Sequence, residues 1–285
     1  MRLAVTLALL ATVAAPVAVF AQARTTARPA ATPKATTADP ALYNAPIRAA
    51  DKARDAFRHP AQTLAFFQVR PDMTVVEYMP GGGWYSRILA PMLAKSGRYI
   101  AVNPDPAAMG MTADRQTAWR ASTPELATKA AGYTGGAAGD APAYTTDALP
   151  KALDGTVDRV LIVREMHNLQ RMNIADSELK AMRRLLKPGG MLGIVQHRAK
   201  PTASADYTDG SKGYLRQTDV VNLVTAMGFE LVSASEVNAN ARDTADYPGG
   251  VWTLPPAYAE KDKDRARYDA VGESDRMTLL FRKRA

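Results

Sequence analysis

From Met73 onward the chain alternates short apolar runs with helical stretches, and this alternation restricts its fold more than any other feature. Two of the runs, residues 160–163 and 191–195, are wholly apolar, which is typical of central strands buried on both faces. Strands that are separated by helices favour a mainly parallel sheet with helices on both of its faces. The sequence therefore predicts an α/β fold.

The individual elements follow from the periodicity of apolar residues and from stop signals. A helix over 176–186 ends at Lys187-Pro188-Gly189-Gly190, and a helix over 217–227 ends at Gly228. The last strand is expected to be antiparallel. Residues 105–144 are rich in Ala, Gly and Thr and support no assignment before a strand near 143–146. A first strand is predicted to open at Val75-Val76, and further strands are predicted at 99–102, 229–237 and 277–281.

The first 23 residues have the composition of an export signal. Arg2 supplies a positive charge, residues 3–20 are almost wholly apolar, and Ala21-Gln22-Ala23 offers small residues for cleavage. An uncleaved anchor is the alternative, because about 18 apolar residues can span a bilayer, but Pro16 and the Ala-Gln-Ala ending favour cleavage. We therefore predict an exported, periplasmic protein without stable membrane insertion after cleavage.

Residues 24–40 contain Ala, Thr and Pro with few large apolar side chains, and this composition predicts a disordered linker. Residues 41–285 have the usual length of one α/β domain. The chain has no cysteine, which excludes disulfides and thiolate metal sites. Its formal charge of +8 is scattered rather than gathered into a stripe, which argues against a nucleic-acid partner. A small-molecule substrate is the default expectation.

The segment 74–85 joins an apolar strand to a helix through Gly81, Gly82 and Gly83. Glycines allow backbone amides to approach a ligand closely, and the start of a helix adds partial positive charge. Glu77, at the end of the strand, suits a ligand that presents ammonium or hydroxyl groups. The alternative is a tight turn without a ligand. The segment predicts a small-molecule site.

At these residues the chain resembles the class I S-adenosylmethionine-dependent methyltransferases, whose first motif is an acidic residue followed by alternating glycines. It is more similar still to a bacterial family of exported predicted methyltransferases. The resemblance spans most of residues 51–285 and implies a Rossmann-like fold with S-adenosylmethionine as cofactor. It rests on Arg58-His59-Pro60, Glu77 with Pro80 to Tyr85, Arg164 with His167-Asn168, Leu186-Lys187-Pro188-Gly189-Gly190, His197-Arg198 and Gly272-Glu273-Ser274-Asp275-Arg276.

The resemblance also implies which residues hold the cofactor. The glycine loop contributes with Glu77 and Tyr85 on either side of it. In the family, an acid after the second strand holds the ribose hydroxyls, and that place aligns here with Asn103 or, displaced, with Asp105. Asparagine can bond a hydroxyl but is not a charged acceptor. Met79 stands where the family has the first glycine.

The chain has three histidines, and each falls where an α/β ligand site is within reach. His167 follows the strand at 160–163 and His197 follows the strand at 191–195, so both are expected at the carboxyl ends of strands, where open sheets bind ligands. His59 precedes a helix that the resemblance places over the cofactor side. The alternative for His167 is a structural histidine bonded to backbone in the turn.

Methyl transfer requires that the acceptor be aligned and lose a proton, because the sulfonium is already activated. His167 is expected to be the base, and Asn168 to orient its ring or the acceptor. His197 and His59 are further candidates for a catalytic role. Arg164 and Glu165 alternate along the strand end, so one of them is expected to face the site.

Two other classes of function fit the same residues. The histidines with Glu77 or Glu165 are ligand types for a metal-dependent hydrolase, but their spacing carries no local metal signature, and no metal is predicted. A non-catalytic ligand-binding protein is the other class, since S-adenosylmethionine is made in the cytosol and a fold can be reused. The aromatic segment 243–258 is expected either to cap the acceptor site or to pack as an ordinary loop.

Overall fold

A computed structural model describes residues 39–285. The predicted signal and nearly all of the predicted linker therefore lie outside the described residues. The first helix begins at Pro40, close to the expected start of the domain. No helix in this part of the chain is long and apolar enough to cross a membrane.

The secondary structure of the described residues alternates as predicted. The strands are β1 Thr74–Tyr78, β2 Arg98–Asn103, β3 Ala143–Thr145, β4 Val157–Val163, β5 Leu186–His197, β6 Phe229–Ser235 and β7 Arg276–Lys283. The α-helices are α1 Pro40–Asn44, α2 Asp55–Arg58, α3 Pro60–Phe66, α4 Ser86–Leu93, α5 Ala113–Gly132, α6 Met166–Arg171, α7 Ala175–Leu185, α8 Gln217–Ala226 and α9 Arg265–Val271. Short 3₁₀ turns lie at Pro46–Arg48, Lys52–Arg54, Ala138–Asp140, Thr146–Ala148, Lys151–Leu153 and Gly250–Thr253.

The strands form one sheet in the order β3-β2-β1-β4-β5-β7-β6. β1 pairs in parallel with β2 and β4, and β3 and β5 extend the parallel part on its two sides. β7 lies antiparallel between β5 and β6. The prediction of a mainly parallel sheet with an antiparallel last strand is confirmed. This is the Rossmann-like, class I methyltransferase fold that the resemblance implies.

Successive side chains of the strands point to opposite faces and build two apolar cores. Val75 packs with α3, α4 and α5 on one face, and its neighbour Val76 packs with α6, α7 and α8 on the other. The helices therefore lie on both faces, as predicted. By the same alternation Glu77 shares the face of Val75 and α4.

The region 105–144, for which the pattern supports no assignment, contains the 20-residue helix α5. The buried face of this helix consists of small residues, namely Thr123, Ala127, Ala130 and Ala131. It lacks the large apolar side chains at helical spacing by which an amphipathic helix is recognised. The strand expected late in this region is found as β3.

β5 begins earlier than the sequence predicts. The segment Lys187-Pro188-Gly189-Gly190 follows the end of α7, as expected, but it also belongs to the strand. Leu186 pairs with Val157, and the register then shifts before Met191 pairs with Arg159. The remaining predicted helices and strands differ from the structure only at their ends.

Gly193 of β5 lies close to the buried ring of Phe67, so a substitution at Gly193 tests how tightly the core is packed. A Cβ at Gly193 would lie 2.7 Å from Cδ1 of Phe67. Gly193→Ala is therefore expected to lower the free energy of unfolding by about 1 to 3 kcal/mol in urea denaturation. Gly139→Ala is the matched control, since a Cβ there meets nothing within 4 Å, and a change within about 0.5 kcal/mol is expected. Equal stability of the two variants would contradict this packing.

Candidate functional site

The loop between β1 and α4 has a left-handed backbone at three residues. The φ angles are +49° at Met79, +53° at Gly81 and +75° at Gly83. Met79 thus adopts the conformation that glycine favours, and its amide donates to the Val102 carbonyl of β2 at 2.8 Å. The loop keeps its sharp turn although methionine occupies the place of the first glycine.

Two cavities lie on either side of this loop. The first cavity, of about 180 Å³, lies at the carboxyl ends of β1 and β4 and includes Glu77, Tyr85 and Glu165 in its wall. The second cavity, of about 310 Å³, lies between the loop, β2 and the end of α5, beside Tyr99 and Tyr133. Both cavities are also lined by Pro80, Gly81 and Gly82.

Gly82 is the loop residue that leaves the most room. A Cβ there would meet no atom within 4 Å, and its φ is not in the left-handed region. At Gly83, by contrast, a Cβ would lie 2.8 Å from the Tyr133 hydroxyl. The backbone at Gly82 therefore faces open space in which a ligand can approach it closely.

Glu77 presents a buried carboxylate to the first cavity and is 4% exposed. Its Oε2 accepts hydrogen bonds from the hydroxyls of Ser86 and Tyr99, both at 2.7 Å. Its Oε1 accepts none from residues 39–285. Burial raises the pKa of Glu77 from 4.5 to about 7, against the lowering effect of the two hydroxyl donors. The two hydroxyls thus orient the group, and one oxygen is left for a ligand.

The end of β4 brings two charged side chains to the first cavity where the sequence predicts one. Arg164 has a left-handed φ of +63°, which breaks the alternation of the strand, and both Arg164 and Glu165 line the cavity. Asn168 Nδ2 donates to Glu165 Oε2 at 2.7 Å. Asn168 therefore positions Glu165 and not the ring of His167, which corrects the expectation. Burial raises the pKa of Glu165.

His167 and His197 lie beside each other, with ring centroids 5.7 Å apart. His197 ends β5 and His167 lies in α6 just after β4, so both are at the carboxyl edge of the sheet, as the sequence predicts. Neither ring lines the first or the second cavity. The Trp252 ring lies 5.9 Å from that of His167, and His197 Nδ1 lies 2.5 Å from the Ser274 hydroxyl oxygen. The two histidines therefore share the carboxyl edge of the sheet with Glu77 but do not line the cavity that Glu77 lines.

Burial keeps both imidazoles neutral. It lowers the pKa of His167 to about 4 and that of His197 well below its ordinary value, and the charge of Arg164 adds to both effects. His167 Nδ1 lies 3.3 Å from Gln196 Oε1. A weakly basic ring that does not reach the cavity is poorly placed to take a proton there, and Glu165 stands in the position expected for His167.

Three other residues predicted to belong to the site line neither cavity. His59 joins α2 to α3 with a φ of +40°, and its buried Nδ1 has no partner within the described chain. Asp105 Oδ1 accepts from the Ala107 amide at 2.8 Å, so this carboxylate closes the turn after β2. Asn103 is the last residue of β2 and is partly buried.

The aromatic segment 243–258 packs largely as an ordinary loop. Tyr247, Val251 and Leu254 join a small third core together with Tyr214. Trp252 is 37% exposed and covers His167. The segment lines neither cavity, so in this structure it packs beside His167 and does not cap the site.

A metal centre built on the histidines has no support in the described residues. Within residues 39–285 no three His, Cys, Asp or Glu side chains are grouped so that they could hold a metal ion. Glu77 and Glu165 lie in the cavity that the histidines do not line. The ligands that a metal-dependent hydrolase would need are not brought together in this part of the chain.

Sequence reasoning missed the arginines around the first cavity. Arg54, Arg58 and Arg87 line it together with Arg164. Arg87 is held by Asp51 through two hydrogen bonds of 2.6 and 2.7 Å. The motifs of the sequence include Arg58 and Arg164 but neither Arg54 nor Arg87. Their burial depends on partners far away in the sequence.

No family model and no curated protein matches the chain. Among solved structures, it is similar to a S-adenosylmethionine-dependent methyltransferase from Aquifex aeolicus, with 16% identity and a TM-score of 0.49 over 86% of this chain and 98% of that one. It is similar to the cyclase SpnF, with 16% identity and a TM-score of 0.49 over 81% of each chain. A third similar structure is that of 1,6-didemethyltoxoflavin-N1-methyltransferase from Burkholderia thailandensis with bound 1,6-didemethyltoxoflavin and S-adenosylhomocysteine. The identity is 15% and the TM-score 0.46, over 84% of this chain and 82% of that one.

The raised pKa of Glu77 makes the stability of the fold depend on pH. The folded protein holds this proton more tightly than the unfolded chain, so the stabilisation is fully present below pH 4.5 and is lost as the pH rises to about 7. Glu77→Gln keeps an acceptor for Ser86 and Tyr99 without the charge. It is expected to exceed the native protein in stability at pH 8 by about 1 to 3 kcal/mol.

Urea denaturation at about pH 4 and pH 8 measures this effect. The advantage of Glu77→Gln should vanish at the lower pH. Glu125→Gln is the control, because the Glu125 side chain is 67% exposed, and it should show no such pH dependence. A constant difference between Glu77→Gln and native protein at both pH values would contradict the raised pKa.

Proposed function

We propose that the protein is a S-adenosylmethionine-dependent methyltransferase that acts on a small-molecule acceptor. The observation that carries the proposal is the glycine loop at the end of β1, which opens onto a cavity on each side and leaves free space at Gly82 beside the carboxylate of Glu77. This arrangement suits an extended ligand that crosses the loop, meets its backbone closely and carries a group that bonds to a carboxylate.

The residues around the loop fit the cofactor in type and position. Glu77 would bond an ammonium or hydroxyl group, and the backbone at Gly81 and Gly82 would lie against the ligand. Tyr85 is buried and forms part of the wall of the first cavity. When bound, S-adenosylmethionine supplies an activated methyl group on its sulfonium. Asn103 and Asp105 lie outside both cavities, so the ribose contact implied by the resemblance is not part of the proposal.

The protein itself must align the acceptor, exclude water and remove a proton. Glu165 is the base that we propose, in place of His167. It lines the first cavity, Asn168 orients it, and burial raises its pKa, which makes the carboxylate a stronger base. The proton of an acceptor O–H or N–H would pass to an oxygen of Glu165.

Cofactor binding is tested by isothermal titration calorimetry with S-adenosylmethionine and S-adenosylhomocysteine. The native protein is expected to bind both. Gly82→Val should weaken binding by about tenfold or more, because the valine side chain would fill the space open to the ligand. The φ of Gly82 is not in the left-handed region, so the substitution should not strain the loop. Gly83→Val is less informative, since the φ of +75° and the contact with Tyr133 would strain the loop itself.

Gly139→Val is the matched control, at a glycine where a Cβ meets no neighbour, and it should bind as the native protein does. A folded native protein without measurable affinity for either cofactor form would refute the methyltransferase function. Equal affinity of Gly82→Val and Gly139→Val would refute the role of the loop.

The role of Glu165 is tested by the release of S-adenosylhomocysteine from S-adenosylmethionine in the presence of a deproteinised small-molecule extract. Glu165→Gln is expected to slow turnover by roughly 10² to 10⁴ with cofactor affinity unchanged. Native turnover should fall as the pH drops through the raised pKa of Glu165, because the protonated acid accepts no proton. His167→Ala, which alters a ring outside the cavity, should keep most of the turnover. The opposite ranking of the two variants would restore His167 as the base.

A non-catalytic ligand-binding protein is the second candidate function. The position of Asn103 and Asp105 outside both cavities favours it, because the usual contact with the ribose is then weaker. It predicts that small molecules bind in the first cavity without turnover. The calorimetric and turnover measurements above separate the two candidates.

We further propose export to the periplasm, which the composition of residues 1–23 supports. Cleavage after Ala23 is expected because small residues precede it. Mass spectrometry of the protein from the periplasmic fraction should therefore find a new amino terminus at Arg24. An intact form that begins at Met1 and sediments with membranes would refute cleavage.

A further inference from the structure

Two segments far apart in the sequence place guanidinium groups around the first cavity. Arg54 and Arg58 come from the helical turns that precede the sheet, and Arg164 comes from the end of β4. We propose that these three arginines form a binding site for a single oxyanion group, a carboxylate or a phosphate. The site does not depend on the proposed methyltransferase function.

The charges near the cavity are unbalanced. Glu273 accepts hydrogen bonds from Arg54 Nε at 2.6 Å, Arg58 Nε at 3.0 Å and Arg276 Nη1 at 3.0 Å. Glu273, Arg58 and Arg276 are 5%, 3% and 2% exposed, so water screens them little. Three guanidinium groups therefore share one carboxylate, and positive charge is left over.

Several donors of these arginines lack an acceptor. Nη2 of Arg54, Nη2 of Arg58 and Nε of Arg276 are buried without a partner within residues 39–285. The guanidinium of Arg164 makes no hydrogen bond or ion pair there, and its Nε is buried. A buried donor without an acceptor costs free energy, whereas one oxyanion accepts several charge-assisted hydrogen bonds at once. The pattern points to a ligand with two or more oxygens.

Arg164 carries two energetic costs in the fold. Its left-handed φ of +63° is strained for a residue with a side chain, by about 1 to 2 kcal/mol. Burial, followed by the charge of Arg276, lowers its pKa, so its charged form is disfavoured where it lies. An anion in the cavity would offset the second cost by neutralising the arginines.

The planes of the guanidinium groups are partly fixed before a ligand arrives. The Arg58 guanidinium lies 4.8 Å from the centroid of the Trp84 ring, and that of Arg48 lies 5.0 Å from it. Stacking on an aromatic face restricts the orientation of a guanidinium. Arg58 therefore presents its free Nη2 with little freedom to turn away, which reduces the entropy lost on binding.

The acidic groups that line the cavity do not cancel this charge. Asp51 is occupied by its two hydrogen bonds to Arg87. Burial raises the pKa of Glu77 to about 7, so this group carries less negative charge near neutral pH than an exposed carboxylate does. The wall that faces a ligand thus has an excess of positive charge.

The size of the first cavity restricts the ligand to one small group at this place. Its volume of about 180 Å³ is below the roughly 300 to 1,000 Å³ of pockets that enclose a drug-sized ligand. A carboxylate or phosphate with a few attached atoms fits. The group can belong to the methionine part of the cofactor or to a different anionic ligand.

Inorganic phosphate is the probe, titrated into the full native protein at constant ionic strength by calorimetry and by thermal unfolding. Phosphate is expected to bind and to raise the unfolding temperature. Arg164→Gln should weaken phosphate binding by about tenfold or more. The phosphate affinity of Arg164→Lys should lie between those of native protein and Arg164→Gln, because lysine keeps the charge but lacks the planar guanidinium group. Arg70→Gln is the control, at an exposed ion pair with Asp72, and should bind as native.

A stability measurement keeps the test independent of misfolding. Since the side chain of Arg164 has no hydrogen-bond or ion-pair partner within the described residues, Arg164→Gln should unfold in phosphate-free buffer at the same temperature as native protein or at a higher one. Absence of phosphate binding to native protein would overturn the site. So would equal binding by Arg164→Gln and Arg70→Gln.

The source of the oxyanion is found by repeating the titration with saturating S-adenosylhomocysteine. Competition supports a site for the carboxylate of the cofactor, and undiminished phosphate binding supports a site for a separate anionic ligand. If S-adenosylhomocysteine does not bind at all, the proposed function fails, and the phosphate titration with its variants still decides on the oxyanion site alone.

Discussion

The buried carboxylate of Glu273 connects the beginning of the described chain to its end, and the wall of the first cavity depends on it. It binds Arg54 and Arg58 from the first helical turns and Arg276 from the start of β7. Arg276 also donates to the Phe57 carbonyl at 2.6 Å. Removing one member would leave buried charges unpaired, which is strongly destabilising. The short helices before β1 are therefore held at the carboxyl edge of the sheet.

That edge contains two environments with different chemistry. The first cavity has charged walls, in which the carboxyl groups of Glu77 and Glu165 lie together with several arginines. His167 and His197 lie outside this cavity among aromatic rings, and their burial keeps the imidazoles neutral. Arg164 lies close enough to both environments to disfavour protonation of the rings. A change of charge in the cavity is thus felt by the histidines without a direct contact.

The elements that the sequence predicts well are those whose signal is local. A few neighbouring residues suffice to predict the apolar runs of β4 and β5, the glycine loop after β1 and the Lys187-Pro188-Gly189-Gly190 segment. The helix α5 does not, because its buried face is built of alanine and threonine. The sequence also does not predict the direction of the Arg164 side chain, because that direction depends on a left-handed backbone at a residue other than glycine.

The cluster of Arg54, Arg58 and Arg276 around Glu273 cannot be predicted from neighbouring residues for another reason. Arg58 and Glu273 are separated by 215 residues, so nothing near Arg58 shows that its charge is buried. The segments that carry the family resemblance contain both residues, but a resemblance does not say that they touch. Only the fold brings them together.

The position of β7 has a consequence for how the chain is made. β6 lies at the edge of the sheet and its only strand neighbour is β7, which is formed by the last residues of the described chain. Neither this edge nor the Glu273 ion cluster can form until those residues leave the ribosome. Until the segment from Glu273 through β7 has been synthesised, the outer edge of β5 and the buried guanidinium of Arg58 lack their partners, so the residues before that segment cannot complete the fold by themselves.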